Sequence, residues 1–225
     1  PEEKNYSSGE IPLKYSVPED TEIKYSLNGS VNSSISSNIT LQNLEDGSHK
    51  MRLWAGRADE FELYSRRFSV DTEAPQVVVL RPGNETYPYR TMMLDAQASE
   101  PIQRWFYSLD GGDRNDFDPG GQLKSFPKGE SSLKVYGIDY AGNTGSDIAD
   151  IDIDTAKPDI SYGASTTAPG KINRSWIYIK LTAQDRNLNT VGIEFDGKNT
   201  TFKPSEDYEQ TSDRLEDGKH TAWVW

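Results

Sequence analysis

The chain repeats itself, and the repeats limit the folds open to it more than any other feature does. Tyr25-Ser26-Leu27-Asn28-Gly29 returns as Tyr107-Ser108-Leu109-Asp110-Gly111, and more faintly as Ile193-Glu194-Phe195-Asp196-Gly197. Each reads as a strand running into an Asx-Gly hairpin turn. Leu44-Glu45-Asp46-Gly47-Ser48-His49 returns as Leu215-Glu216-Asp217-Gly218-Lys219-His220, with Phe126-Pro127-Lys128-Gly129 between them. Each copy leads into an alternating strand: Met51 and Leu53, Leu133 and Val135, Ala222 and Val224. Trp54, Tyr136 and Trp225 hold the same place in that strand and are expected in the core.

The copies are roughly 80–90 residues apart, the size of an immunoglobulin-like module. Short alternating runs lie between Gly, Asn, Asp, Pro and Ser clusters, and no segment sustains a helical period. The first copy should hold strands over 1–6, 13–17, 22–27, 30–33, 37–41, 49–55 and 61–70. The expected fold is all-β: tandem immunoglobulin/fibronectin III-like β-sandwiches arranged end to end. The repeats cover 1–73, 74–156 and 157–225, divided at Asp71–Pro75 and Asp154–Pro158. These hinges are short and contain proline, which limits bending. Pro1 reads as the middle of a longer chain, and the third copy as truncated before its last strand.

Composition removes several function classes. The net charge is -12, whereas phosphate binding needs a basic footprint, so nucleic acid is not an expected partner. Cysteine is absent, which excludes disulfides and thiolate chemistry. No apolar run reaches membrane length, so no membrane insertion is expected in this segment. His49 and His220 occupy equivalent positions without catalytic partners, so they read as structural and the chain as non-enzymatic.

Two kinds of modification or ligand remain. Asn5, Asn28, Asn32, Asn38, Asn84, Asn173 and Asn199 each begin an Asn-x-Ser/Thr sequon. About two would arise by chance at this composition, so seven point to N-glycosylation outside the cell. Calcium is the cofactor candidate, with Asp71, Asp139, Asn143 and Asp154 as oxygen donors at linkers and turns. Asp-x-Ala-Gly-Asn is equally a good hairpin turn, in which Asp and Asn bond their own backbone. Exposed aromatics near Trp105 or Trp176 would suit a sugar platform.

Gly137-Ile138-Asp139-Tyr140-Ala141-Gly142-Asn143-Thr144, with Asp154-Thr155, resembles the closing strands of immunoglobulin-like repeats in archaeal and bacterial surface proteins. Pro82-Gly83-Asn84-Glu85-Thr86-Tyr87 resembles the openings of methanogen-type repeats. Ala55-Gly56-Arg57-Ala58-Asp59-Glu60 departs from the pattern. The resemblance implies a structural or interaction segment of a cell-surface, envelope or adhesion protein. Such a segment acts as a rigid glycosylated spacer or assembly module. Its partners would be other surface-protein subunits or cell-surface glycans. The alternative is a carbohydrate-binding or accessory module of a secreted hydrolase.

Overall fold

A computed structural model describes residues 1–58, 60–204 and 207–225. Asp59, in the divergent turn noted above, lies outside them. Residues 1–85 with 91–152 form one compact unit, and residues 86–90 with 153–225 form a second. Among the described residues all regular structure is β, and no helix is long and apolar enough to cross a membrane.

In the first unit, repeat 1 comprises β1 (Asn5–Tyr6), β2 (Ile11–Leu13), β3 (Glu22–Leu27), β4 (Ser33–Ile35), β5 (Ile39–Leu41), β6 (Gly47–Arg57) and β7 (Glu60–Val70). One sheet runs β1-β7-β6-β3-β4, and β2 pairs with β5 in the other. Alternation along these strands turns Ile23, Met51, Leu53, Phe68 and Val70 onto Ile11, Leu13 and Leu41. Two expected strands are displaced. The stretch expected at 13–17 is a strand at 11–13, because Ile11 and Leu13 are the buried pair and face Leu41 and Ile39. That expected at 30–33 lies at 33–35, where Ile35 meets Ile23.

Repeat 2 contributes β8 (Val77–Arg81), β10 (Thr91–Ala98), β11 (Ile102–Leu109), β12 (Asn115–Asp116), β13 (Gln122–Ser125), β14 (Gly129–Asp139) and β15 (Thr144–Ile153), while β9 (Thr86–Tyr87) falls among residues 86–90 of the second unit. One sheet is β13-β10-β8 and the other contains β12-β11-β14-β15 in that order. Leu94, Phe126, Leu133, Val135 and Ile151 are buried. Gly145 must be glycine, since a Cβ there would lie 1.8 Å from the Pro75 carbonyl oxygen.

The second unit holds β16 (Asp159–Tyr162), β17 (Tyr178–Gln184), β18 (Val191–Phe195), β19 (Lys198–Phe202), β20 (Tyr208–Thr211) and β21 (Ala222–Val224). Its sheets are β16-β17-β20 and β19-β18-β21. Ile179, Leu181, Val191, Ile193, Phe195 and Tyr208 form the core between them.

The aromatics at the repeat-equivalent position are not core residues. Trp54 and Tyr136 are half-buried and Trp225 is exposed. Their neighbours Leu53, Val135 and Val224 take the inward phase, so a strand period of two sends the rings outward. Trp54 stands opposite Lys24, Tyr136 opposite Phe106, and Trp225 lies over Gly192.

Candidate functional site: the linkers and the repeated turns

The same turn is built three times. Asn28, Asp110 and Asp196 have φ of 53°, 50° and 44°, each followed by a glycine of positive φ. Two successive left-handed residues make the hairpin turn, and Asx tolerates that region best after glycine. Their side chains also reach across to the neighbouring strand. Lys50 N–H donates to Asn28 Oδ1 at 2.9 Å, Ser132 N–H to Asp110 Oδ1 at 2.7 Å, and Thr221 N–H to Asp196 Oδ1 at 2.8 Å. Each Asx N–H returns a bond to the carbonyl of the same partner.

The histidines belong to this turn. His49 Nε2 faces the Glu45 carbonyl at 2.8 Å, which can only accept, so the proton sits on Nε2. Nδ1 then accepts from Asn28 Nδ2 at 2.9 Å. His220 Nε2 makes the same bond to the Glu216 carbonyl, but its Nδ1 faces the Asp196 carboxylate at 2.6 Å. The bond to Glu216 and the contact with Asp196 raise the His220 pKa above its ordinary value. Ser131 fills this position in repeat 2 and is buried.

The first linker gathers acids. Asp139 is only 1% exposed. Its Oδ1 accepts the N–H groups of Ala141, Gly142 and Asn143 at 2.8, 2.6 and 2.9 Å, and its Oδ2 accepts Asn143 Nδ2 at 2.9 Å. Burial alone would raise the Asp139 pKa. The bonds from Asn143, Gly142 and Ala141 outweigh it and hold the carboxyl below its ordinary value. Asn143 Nδ2 also donates to the Asp71 carbonyl at 2.7 Å, tying repeat 2 to the end of repeat 1. Ligand atoms of Asp71, Glu100 and Asp139 all lie within 4.8 Å of one another. Burial, then Asp71, Asp139 and Glu73, push the Glu100 pKa up.

Three of the four calcium candidates, Asp71, Asp139 and Asn143, are thus brought together. Asp154 lies elsewhere, in the second unit. There Asn187 Nδ2 donates to Asp154 Oδ2 at 2.6 Å, and Arg186 Nε lies 3.9 Å from the same oxygen. Sequence reasoning missed Glu100. The available signal was the matching loop: Leu94-Asp95-Ala96-Gln97 and Leu181-Thr182-Ala183-Gln184 both lead into residues that meet a linker aspartate.

All seven sequon asparagines are exposed, but their amides differ. Asn28 is committed at both ends. Asn38 Oδ1 accepts Tyr15 N–H at 2.9 Å, and Asn84 Oδ1 accepts Asp150 N–H at 2.7 Å. Asn5, Asn32, Asn173 and Asn199 have no side-chain hydrogen bond among the described residues. Trp105 turns inward against Phe117, with ring centroids 6.1 Å apart. Trp176 is 43% exposed and carries the Arg174 guanidinium 4.5 Å from its ring.

No known family description and no curated protein matches the chain. Among solved structures it is similar to the fibronectin(III)-like modules of Clostridium thermocellum CbhA, at 14% identity and a TM-score of 0.46. That match covers 68% of this chain and 90% of the other. Drosophila OTK extracellular domains 3–5 match at 9% identity and a TM-score of 0.35, over 99% and 93% of the two chains. Bacteroides ovatus SGBP-B, solved with a mixed-linkage heptasaccharide, matches at 13% and a TM-score of 0.26. Here the coverage is 97% of this chain and 58% of the other. The strand order and paired sheets are those of tandem β-sandwiches of the immunoglobulin and fibronectin III type.

Proposed function

We infer that this chain is a non-catalytic segment of an extracellular cell-surface, envelope or adhesion protein of archaeal or bacterial type. Its repeats act as a rigid, glycosylated spacer or assembly module that contacts other surface subunits or cell-surface glycans. The observation that carries this reading is the threefold Asx turn, with polar side chains spent on framework bonds. The bond from Asn143 to the Asp71 carbonyl supports stiffness between the first two repeats. Exposure of all seven sequons supports glycosylation. The test is glycopeptide mass analysis of native protein, together with protease shaving of intact cells. Glycan mass at these sequons and release of these peptides are expected. Seven bare asparagines in a protein inaccessible to protease would reject the reading.

A second reading, an appendage of a secreted hydrolase, is favoured by the exposed Trp176 beside Arg174. It requires retention on an insoluble polysaccharide that is lost in Trp176→Ala. Calcium belongs with the first reading, at the first linker. The cluster offers only oxygen donors, which suits a hard cation, and hydration water would complete the roughly 6–8 ligands calcium takes. The linker oxygens are held by Asp71, Glu100 and Asp139. Calcium-dependent protection of residues 71–75 and 139–145 from hydrogen exchange is expected, and identical exchange with calcium or chelator would remove the ion from the account.

A further inference from the structure

The outer face of the sheet β19-β18-β21 carries a tryptophan that the fold of its own unit leaves uncovered. Val191, Ile193 and Phe195 point into the core, so alternation turns Glu194 to the other face. Register aligns Glu194 with Asn199 on one side and with Trp223 on the other. The three residues form a row across three strands. With adjacent strands about 4.8 Å apart, Asn199 and Trp223 stand about 10 Å from each other. Trp223 is 64% exposed. Trp225, two residues on, is less exposed at 48% and rests over Gly192, where an added Cβ would lie 2.2 Å from its Cε2 atom.

Asn199-Thr200-Thr201 is a sequon, and the Asn199 amide is exposed and free of hydrogen bonds among the described residues. Asn28, Asn38 and Asn84, by contrast, have amides tied into the fold. We propose that Asn199 carries an N-linked glycan whose first sugar lies across Glu194 and packs its apolar face on the Trp223 indole. This rests on the glycosylated-surface reading and adds to it a location and a structural role. Attachment joins Asn199 Nδ2 to C1 of the sugar. The C1–O bond to the phosphate of a lipid-linked oligosaccharide donor breaks, the lipid phosphate leaves, and the amide proton passes to a base of the cell's transferase. The indole offers a negative face to the polarised C–H groups of a pyranose. Glu194 offers a carboxylate to the sugar's O–H or N–H donors. The covalent tether keeps the sugar at high effective concentration, so a weak stacking contact is enough to hold it.

The test uses the chain secreted from glycosylating eukaryotic cells, with glycopeptide mapping and acrylamide quenching of tryptophan fluorescence. Thr201→Ala removes the sequon without touching the ring. Glycan at Asn199 is expected, with steeper quenching in Thr201→Ala. That increase should vanish when the same change is made in a Trp223→Leu background. A bare Asn199 while Asn32 or Asn173 is occupied overturns this inference alone. So does an occupied Asn199 whose removal changes quenching equally with and without Trp223. Quenching that falls as protein concentration rises, unchanged by Thr201→Ala, would assign the ring to a second copy and also overturn it. If all seven sequons are bare, the glycosylated reading falls with it.

Discussion

The two linkers begin alike and finish differently. Asp71 and Asp154 each start an Asx turn, accepting the N–H of Glu73 at 3.3 Å and of Ala156 at 3.0 Å. The loop that follows the Leu-x-Ala-Gln strand then meets them with opposite charge. At the first linker it brings Glu100 toward Asp71 and Asp139. At the second it brings Arg186 and Asn187 toward Asp154. One linker is thus neutralised by its own side chains, and the other concentrates carboxylates. The same backbone therefore sets a cation beside its linker aspartate in one case and further carboxylates in the other.

The comparison is broken most severely at Asp139. Asp139→Ala orphans three N–H groups and leaves the Asn143 amide only its bond to the Asp71 carbonyl, and should cost the first unit about 3 kcal/mol, read from the first unit's transition in urea unfolding. The second unit's transition should not move. Calcium is the next largest effect: at a hundred times its dissociation constant, it should stabilise the first unit by about 2.7 kcal/mol in calorimetry. Transplanting the second linker's cation with Ser99→Arg sets a new attraction to the carboxylates against the loss of the Gln76 N–H bond to Ser99 Oγ at 3.0 Å, so the first unit's stability should change by about 1 kcal/mol or less while the calcium response weakens. An undiminished response would dissociate calcium from this cluster.

The smallest effects are those of pH, and they separate the units. Glu100 has a raised pKa, so its stabilising contribution is complete below its ordinary value of 4.5 and is lost as pH rises through the folded value. Asp139 has a lowered pKa; its contribution is present above 3.8 and is lost as pH falls through the folded value. Acidification from neutrality should therefore tighten the first linker until Asp139 begins to protonate. In the second unit, His220 stabilises fully below 6.5 and loses this as pH rises through its raised folded value. Hydrogen exchange of residues 196 and 221 should accelerate above that point, and His220→Gln should abolish the dependence.

Much of this was legible in the sequence. The Asx-Gly and Leu-Glu-Asp-Gly motifs fixed the equivalence of Asn28, Asp110 and Asp196 because turn chemistry is local. Alternation at Met51 and Leu53 already implied an outward Trp54. Expecting a core ring there gave aromatic character more weight than phase. Glu100 was hidden because its partners Asp71 and Asp139 are remote in sequence, and only the packing of a loop onto a linker joins them. The sequons could be found by reading, but the commitment of Asn28 to His49 depends on a cross-strand distance that no motif encodes.

The bond between Asn143 and residue 71 has an evolutionary consequence. Its acceptor is a main-chain carbonyl, which every amino acid supplies. A module that ends its turn in this amide therefore grips whatever precedes it without reading that neighbour's side chain. Duplicating or exchanging such modules keeps the grip intact while the surrounding acids and bases drift, and a chain of this kind can lengthen or diversify by concatenation without redesigning its joints.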